Sequence, residues 1–180
     1  VIAGLDISLT STGWSCGDVV ATIGSSFTGA ERLYDIREKT LDLVRKCNYP
    51  GVVLEGYSFA SKTSRAHAIG ELGGVLRLSL WEMGIPFVEI PPTVRAKFAT
   101  GKGNAGKNEV ISAISARTGI VWSGKGADDQ CDAFILEEIG LTALGTPRYE
   151  WPKENRQILD KYDWTQLEVW CAAKRPNKSS

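Results

Sequence analysis

Val1-Ile2-Ala3-Gly4-Leu5-Asp6-Ile7-Ser8-Leu9-Thr10-Ser11-Thr12-Gly13-Trp14 opens the chain and governs how the remainder is read. A mostly apolar run meets an acid, passes through a Ser/Thr/Gly turn and returns to apolar residues. A run apolar at nearly every position suits a strand buried on both faces, in the middle of a sheet. An ionised carboxylate at the mouth of such a strand is costly unless it is paired, or else it takes up a proton. Asp6 therefore calls for a partner. Two are open: a metal ion, or the amides of Ser8 or Leu9, which Asp6 would bond as a turn cap.

Val52-Val53-Leu54-Glu55 repeats the pattern and is followed by Gly56. A strand reached through a helix is expected to lie parallel and close to the first. Glu55 and Asp6 would then share one end of neighbouring strands, where sites in open α/β sheets gather. Two acids in equivalent positions favour the metal. The connecting chain fits this plan. Gly13–Cys16 and Val19–Ser25 are β-prone runs joined by the hairpin signal Gly17-Asp18. Ala30 to Lys46 reads as an amphipathic helix with Leu33, Ile36, Thr40, Leu41 and Val44 on one face.

The next helix is expected over Ser64 to Met83, with Ile69, Leu72, Val75, Leu76 and Leu80 in the core. Ala66, Gly70 and Gly74 recur every four residues beside them. Glycines cost helix stability, so something must approach the backbone there: the helix's own sheet, or a second copy of the protein. His67, on the same helix, reads as a surface or interface residue. Ahead of it, Tyr57-Ser58-Phe59-Ala60-Ser61-Lys62 either presents rings for base stacking or tucks them under the helix. Ile85 to Ile90 is the fifth strand, ended by Pro91-Pro92.

At 180 residues and 43% hydrophobic content the chain has room for one domain with a substantial core. Basic and acidic residues balance at 21 each, so a nucleic-acid partner would require local concentration of the bases. That concentration exists. Arg95, Lys97, Lys102 and Lys107 occur with no acid from Ile90 through Asn108. Gly101 to Asn108 nearly spells a P-loop. However, Asn108 lacks the hydroxyl for Mg²⁺, and Arg95 and Lys97 stand where a buried strand should lead in. A glycine-rich loop with spaced lysines suits nucleic-acid phosphates, the alternative being a solvated loop. Four cysteines without CxxC spacing read as reduced thiols, and no run is long and apolar enough to span a membrane. A soluble, intracellular protein without a leader is expected.

After a short helix over Asn108 to Arg117 comes Gly126-Ala127-Asp128-Asp129-Gln130-Cys131-Asp132-Ala133-Phe134-Ile135-Leu136. Acids at a helix start are ordinarily caps. Asp129 and Asp132, spaced i, i+3, nevertheless share one face of the first turn. With Asp128 they repel unless a cation neutralises them. The apolar residues that follow bury the helix and direct its acidic tip at the sheet's carboxyl end.

These acids, from two strands and one late helix, resemble the set of the ribonuclease H-like and retroviral-integrase nucleases, most closely the RuvC family of Holliday junction resolvases, as a divergent or phage-type member. GLDISLTSTGW, VVLEGYSFASK, IPFVEIPPTVRAKFATGKGNAGKNEV and GADDQCDAFILEEIG carry the resemblance, which covers roughly Val1 to Leu144. It implies an α/β ribonuclease H-like fold, with a five-stranded mixed sheet of three antiparallel and then two parallel strands flanked by helices. The nuclease core would be 1–144 and a C-terminal extension packed on or beside it 145–180, holding Trp151, Trp164 and Trp170.

The resemblance further makes Asp6, Glu55, Asp129 and Asp132 the ligands of two Mg²⁺ ions, replaceable by Mn²⁺, with Asp128 an alternative to Asp129. It puts the DNA-contacting lysines at Lys97 and Lys107, within a surface that includes Arg95, Lys102 and Lys62. The junction-centre ring would be Tyr57 or Phe59. The implied activity is paired cutting of four-way DNA junctions to leave 5′-phosphate and 3′-hydroxyl ends. The cuts would be made by a homodimer meeting at Ala66, Gly70 and Gly74. The rivals are a broader branched-DNA or RNA nuclease of this fold and a non-catalytic junction-binding module. A sugar-kinase or actin-like phosphotransferase would need a duplicated domain that this length cannot hold.

Overall fold

The computed structural model describes residues 1–56 and 64–174, the side chains of 64–66 excepted. Five strands form one sheet in the order β3-β2-β1-β4-β5. They are β1 (Ile2–Asp6), β2 (Thr12–Cys16), β3 (Val19–Ile23), β4 (Gly51–Glu55) and β5 (Phe87–Ile90). β2 runs antiparallel to both β1 and β3, whereas β4 is parallel to β1 and β5 is parallel to β4. The mixed five-stranded sheet expected from the sequence is present, and β1 is its central strand with all five residues buried.

Helices cover both faces. α1 (Gly29–Lys46) and α2 (Ser64–Glu82) lie on one. The other carries α3 (Pro92–Thr100), α4 (Lys107–Thr118) and α5 (Ala127–Ala143), then α6 (Lys153–Gln157) and α7 (Thr165–Ala173). Side chains alternate across a strand. Ala3, Leu5, Val52 and Leu54 accordingly join the α1/α2 core, while Ile2 and Val53 join the α5 core. By the same alternation Asp6 and Glu55 face α5.

α5 is seated against β1 and β2 by bare backbone. A Cβ on Gly4 would collide with the Ala133 carbonyl, and one on Gly13 with the Asp129 carbonyl. These two glycines let the helix approach without intervening side chains, and so they set the height of Asp129 and Asp132 above the sheet.

α3 departs from the sequence reading, which ended β5 at Pro91-Pro92 and continued as a basic glycine-rich segment. Pro92 is instead the first residue of a helix, where the missing N–H costs nothing. Val94, Ala96, Phe98 and Ala99 are buried, and Gly101 ends the helix in a left-handed conformation.

The segment after α5 packs on the core. Trp151 is buried against Phe98, ring centroids 4.3 Å apart, and Asn155 Nδ2 donates to the Phe98 carbonyl at 2.8 Å. Arg148 reaches back to two acids buried in α5. Its guanidinium pairs with Glu137 at 2.9 Å and Glu138 at 2.5 Å. Ser15 Oγ and the Gly17 amide donate to Glu137 at 2.6 and 2.7 Å, and Trp151 Nε1 donates to Glu138 at 3.1 Å. No described helix is long and apolar enough to cross a membrane.

Candidate active site

Asp6 ends β1 with only 8% of its surface exposed. The Ser8 amide donates to Thr12 Oγ1 at 3.1 Å and Thr12 Oγ1 donates back to the Ser8 carbonyl at 2.5 Å. The turn after β1 is thus closed by Thr12, and the Ser8 amide is not held by the Asp6 carboxylate. Leu5 pairs with Leu54 across the parallel β1–β4 ladder, so Asp6 and Glu55 are neighbours one step further on. Asp132, on the second turn of α5, meets them from above.

A cation stands in the middle of these acids. Arg95, from α3, donates through Nε to Glu55 Oε2 at 2.6 Å and pairs through Nη1 with Asp132 Oδ1. All three side chains are largely buried, the arginine 12% exposed. Burial opposes the charge on Arg95, but the carboxylates of Glu55, Asp132 and Asp6 outweigh it and raise its pKa further. Burial pushes the Asp6 carboxyl well above the usual range, the charge on Glu55 adds to the rise, and Arg95 only partly offsets it. Asp132 is pushed up to about 7, by burial first, with Arg95 opposing and Glu55 reinforcing. One guanidinium is too little charge for three acids.

Asp129 sits at the rim. Burial raises its pKa, against the Ser11 hydroxyl and with Asp128 adding repulsion. Asp128 pairs with Lys107, which lowers the pKa of Asp128. Lys97 is exposed, and Lys102 pairs with Glu109 at 2.9 Å on the surface. Between α3 and α4 lies a cavity of about 180 Å³ lined by Thr93, Arg95, Gly103, Lys107, Asp128 and Asp132.

The donor chemistry fits a hard divalent cation, since every acid here offers oxygen ligands and the buried Asp6 is short of positive charge. Among the described residues no three acidic, histidine or cysteine side chains close round a common point. The guanidinium bridges Glu55 and Asp132 instead.

No protein-family model matches the chain. A crossover junction endodeoxyribonuclease RuvC of Prochlorococcus marinus is 28% identical over 155 residues, spanning 78% of this chain and 97% of the relative. One from Synechococcus is 28% identical over 125 residues, 69% of this chain and 76% of its own. A Thermus thermophilus RuvC structure superposes with a TM-score of 0.63 at 19% identity, covering 84% of this chain and 99% of that one. The chain resembles the RuvC endonucleases in sequence and shares their fold. A second structure, T. thermophilus RuvC in complex with Holliday junction substrate, superposes with a TM-score of 0.64 at 19% identity.

Within this chain, Asp6, Glu55, Asp132 and Arg95 come together, with Asp129 at their edge and Lys107 beside the adjoining cavity. Lys97 and Lys102 lie away on the surface of the same segment. Tyr57, Phe59 and Lys62 lie outside the described residues, as does the side chain of Ala66. Sequence reasoning put Arg95 among DNA contacts and gave Gly4 and Gly13 no role. For the glycines a signal existed, since each interrupts a strand that is otherwise well filled. For Arg95 the signal was its place in the α3 helix, which the sequence reading did not foresee.

The raised carboxyls have a consequence with a definite sign. Asp132, with an unfolded value near 3.8 and a folded value of about 7, holds a proton at pH 5–6 that the unfolded chain has released. Stability of the metal-free protein should therefore fall as pH rises through this window, by about 2–4 kcal/mol at most from this group. Asp6 acts in the same direction. Thermal denaturation in chelator should show a melting temperature lower at pH 8 than at pH 5.5, and Asp132→Asn should flatten the profile. A wild-type profile rising with pH would contradict the burial of these acids.

Proposed function

We propose that the chain is a metal-dependent endonuclease that resolves four-way DNA junctions by paired cuts. The convergence of Asp6, Glu55 and Asp132 at the carboxyl end of the central strands carries this reading, together with kinship to the RuvC endonucleases. Mg²⁺ held by these acids and by Asp129, or Mn²⁺ in its place, would supply Lewis-acid stabilisation of the phosphate and an activated water. Two such ions suit a phosphodiester, whose attacking and leaving oxygens both need stabilising. The chain itself contributes the dry floor made by β1 and β4, which strengthens electrostatic interactions in the site. Lys107, Lys97 and Lys102 offer a basic rim for backbone phosphates, and the expected ends are 5′-phosphate and 3′-hydroxyl.

The nuclease is assigned to residues 1–144 and the extension to 145–180, in an intracellular protein whose four cysteines are free thiols. Labelled four-way junction, fork, duplex and RNA, each incubated with and without Mg²⁺, provide the test. Junction cut in symmetric pairs only with metal is expected. Equal cutting of all branched DNA, or of RNA, would replace the junction reading with a broader nuclease. Binding without cutting would leave a junction-binding module.

Two equivalent strands call for two sites, and a two-fold dimer provides them. The outer face of α2 is suited to this contact. Gly70, Gly74, Leu78 and Trp81 follow at spacings that place them on one helix face. Nothing lies within 4 Å of a Cβ built on Gly74, and Leu78 and Trp81 are 56% and 73% exposed. Trp81→Asp should leave the fold intact, since the ring touches little of its own chain, yet convert a dimer to a monomer in sedimentation velocity at micromolar concentration. An unchanged sedimentation coefficient would place the dimer contact elsewhere.

A further inference from the structure

We propose that Arg95 is an exchangeable counter-ion: it holds Glu55 and Asp132 together in the metal-free chain, gives them up when a divalent cation binds, and turns into the neighbouring cavity to seat a substrate phosphate beside Lys107. The proposal rests on the nuclease reading above.

Three observations converge on it. The guanidinium spans Glu55 and Asp132, two of the acids that offer oxygen ligands, so it and a cation compete for the same lone pairs. The cavity of about 180 Å³ is lined by Arg95 as well as by Lys107, Thr93 and Gly103, so the side chain has an adjoining space to enter without unpacking α3. Lys107 is itself held by Asp128, whose carboxylate lines the same cavity. Arg95 and Lys107, both lining this cavity, are therefore each paired with an acid.

A planar, permanently charged fork can bond two carboxylates at once and equally well bond a phosphate. Exchanging one positive charge for a divalent ion also suits a group of acids that one guanidinium leaves undercompensated. The consequence is linkage. Metal must break the Arg95 pairs to bind, and the arginine it releases is then available to DNA, so metal and DNA strengthen each other's binding. Arg95 is in this sense a positioning residue that couples two ligands.

Calorimetric titration of the full chain with Mg²⁺, without DNA and at pH 8 to keep Asp132 ionised, tests the exchange. Arg95→Gln should bind Mg²⁺ about tenfold or more tighter than wild type, with Arg95→Lys in between, because a lysine cannot span both carboxylates. Equal or weaker binding by Arg95→Gln would overturn the proposal. Should Arg95→Gln not fold without metal, the wild-type protein supplies the answer through the Arg95 Nε–H resonance. That proton should be protected from solvent exchange in chelator and lose protection on saturation with Mg²⁺, a change that a fixed structural arginine would not show. Mg²⁺ bound with this resonance unmoved defeats the exchange while leaving the metal site standing. No Mg²⁺ binding by either chain defeats both.

Discussion

Asp6→Asn is expected to lower cleavage of a four-way junction by on the order of a thousandfold or more while leaving junction binding near wild type. Asp6 ends the central strand and feels the charges of Glu55, Arg95, Asp132 and Asp129, so it is in electrostatic contact with all parts of the site. The amide has nearly the same shape, and burying it avoids the desolvation that pushes the acid's pKa upward. The variant should therefore be folded, and more heat-resistant than wild type in chelator. Reduced repulsion toward phosphate favours retained or tighter DNA binding. Single-turnover cleavage of labelled junction, paired with gel-shift titration, separates the two effects. Mg²⁺-dependent cleavage at more than a tenth of the wild-type rate would remove Asp6 from the site.

Arg148→Ala is expected to cost about 3–5 kcal/mol of stability, the scale for stripping a buried ion pair of one partner. Glu137 and Glu138 are 2% and 0% exposed in their side chains, and Arg148 pairs with both. It also lies over the Phe134 ring at 4.9 Å and donates to the Gly17 carbonyl at 3.2 Å. Losing it leaves two acids in the middle of α5 with Ser15, Gly17 and Trp151 as their donors among the described residues. Urea unfolding gives the difference directly. A loss below about 1 kcal/mol would mean that the two glutamates do not depend on this cation.

Much of the architecture was legible because its signals are local. A continuous apolar run marks β1 as a central strand, Gly17-Asp18 marks the hairpin, and the leucine periodicity marks α2. The acids were legible for a related reason, since each follows or precedes an apolar stretch that has no use for it. What stayed hidden depends on distance. Whether Arg95 faces solvent or Glu55 is decided by the helix that Pro92 begins, and by α5 arriving from the other side with Asp132. Glu137 and Glu138 interrupt the apolar run 133–140 and could have been flagged as buried acids. Their partner Arg148 lies beyond the helix end, in a segment that the family resemblance did not reach. Gly4 and Gly13 were in plain view, but the helix that needs their missing side chains comes more than a hundred positions later.

The direct backbone seat of α5 on β1 and β2 also bears on the order of events during synthesis. β1 leaves the ribosome before every other described element, with Asp6 already attached. The basic rim of α3 and α4 follows, so a partly made chain already carries these cations. The carboxylates of α5 come later still, and they reach Asp6 only when a late helix docks on the earliest strand, a contact of long sequence separation that forms slowly. An incomplete chain therefore carries the basic rim but not the assembled group of acids. On the proposed reading, the cutting centre stays unassembled until the fold is closed.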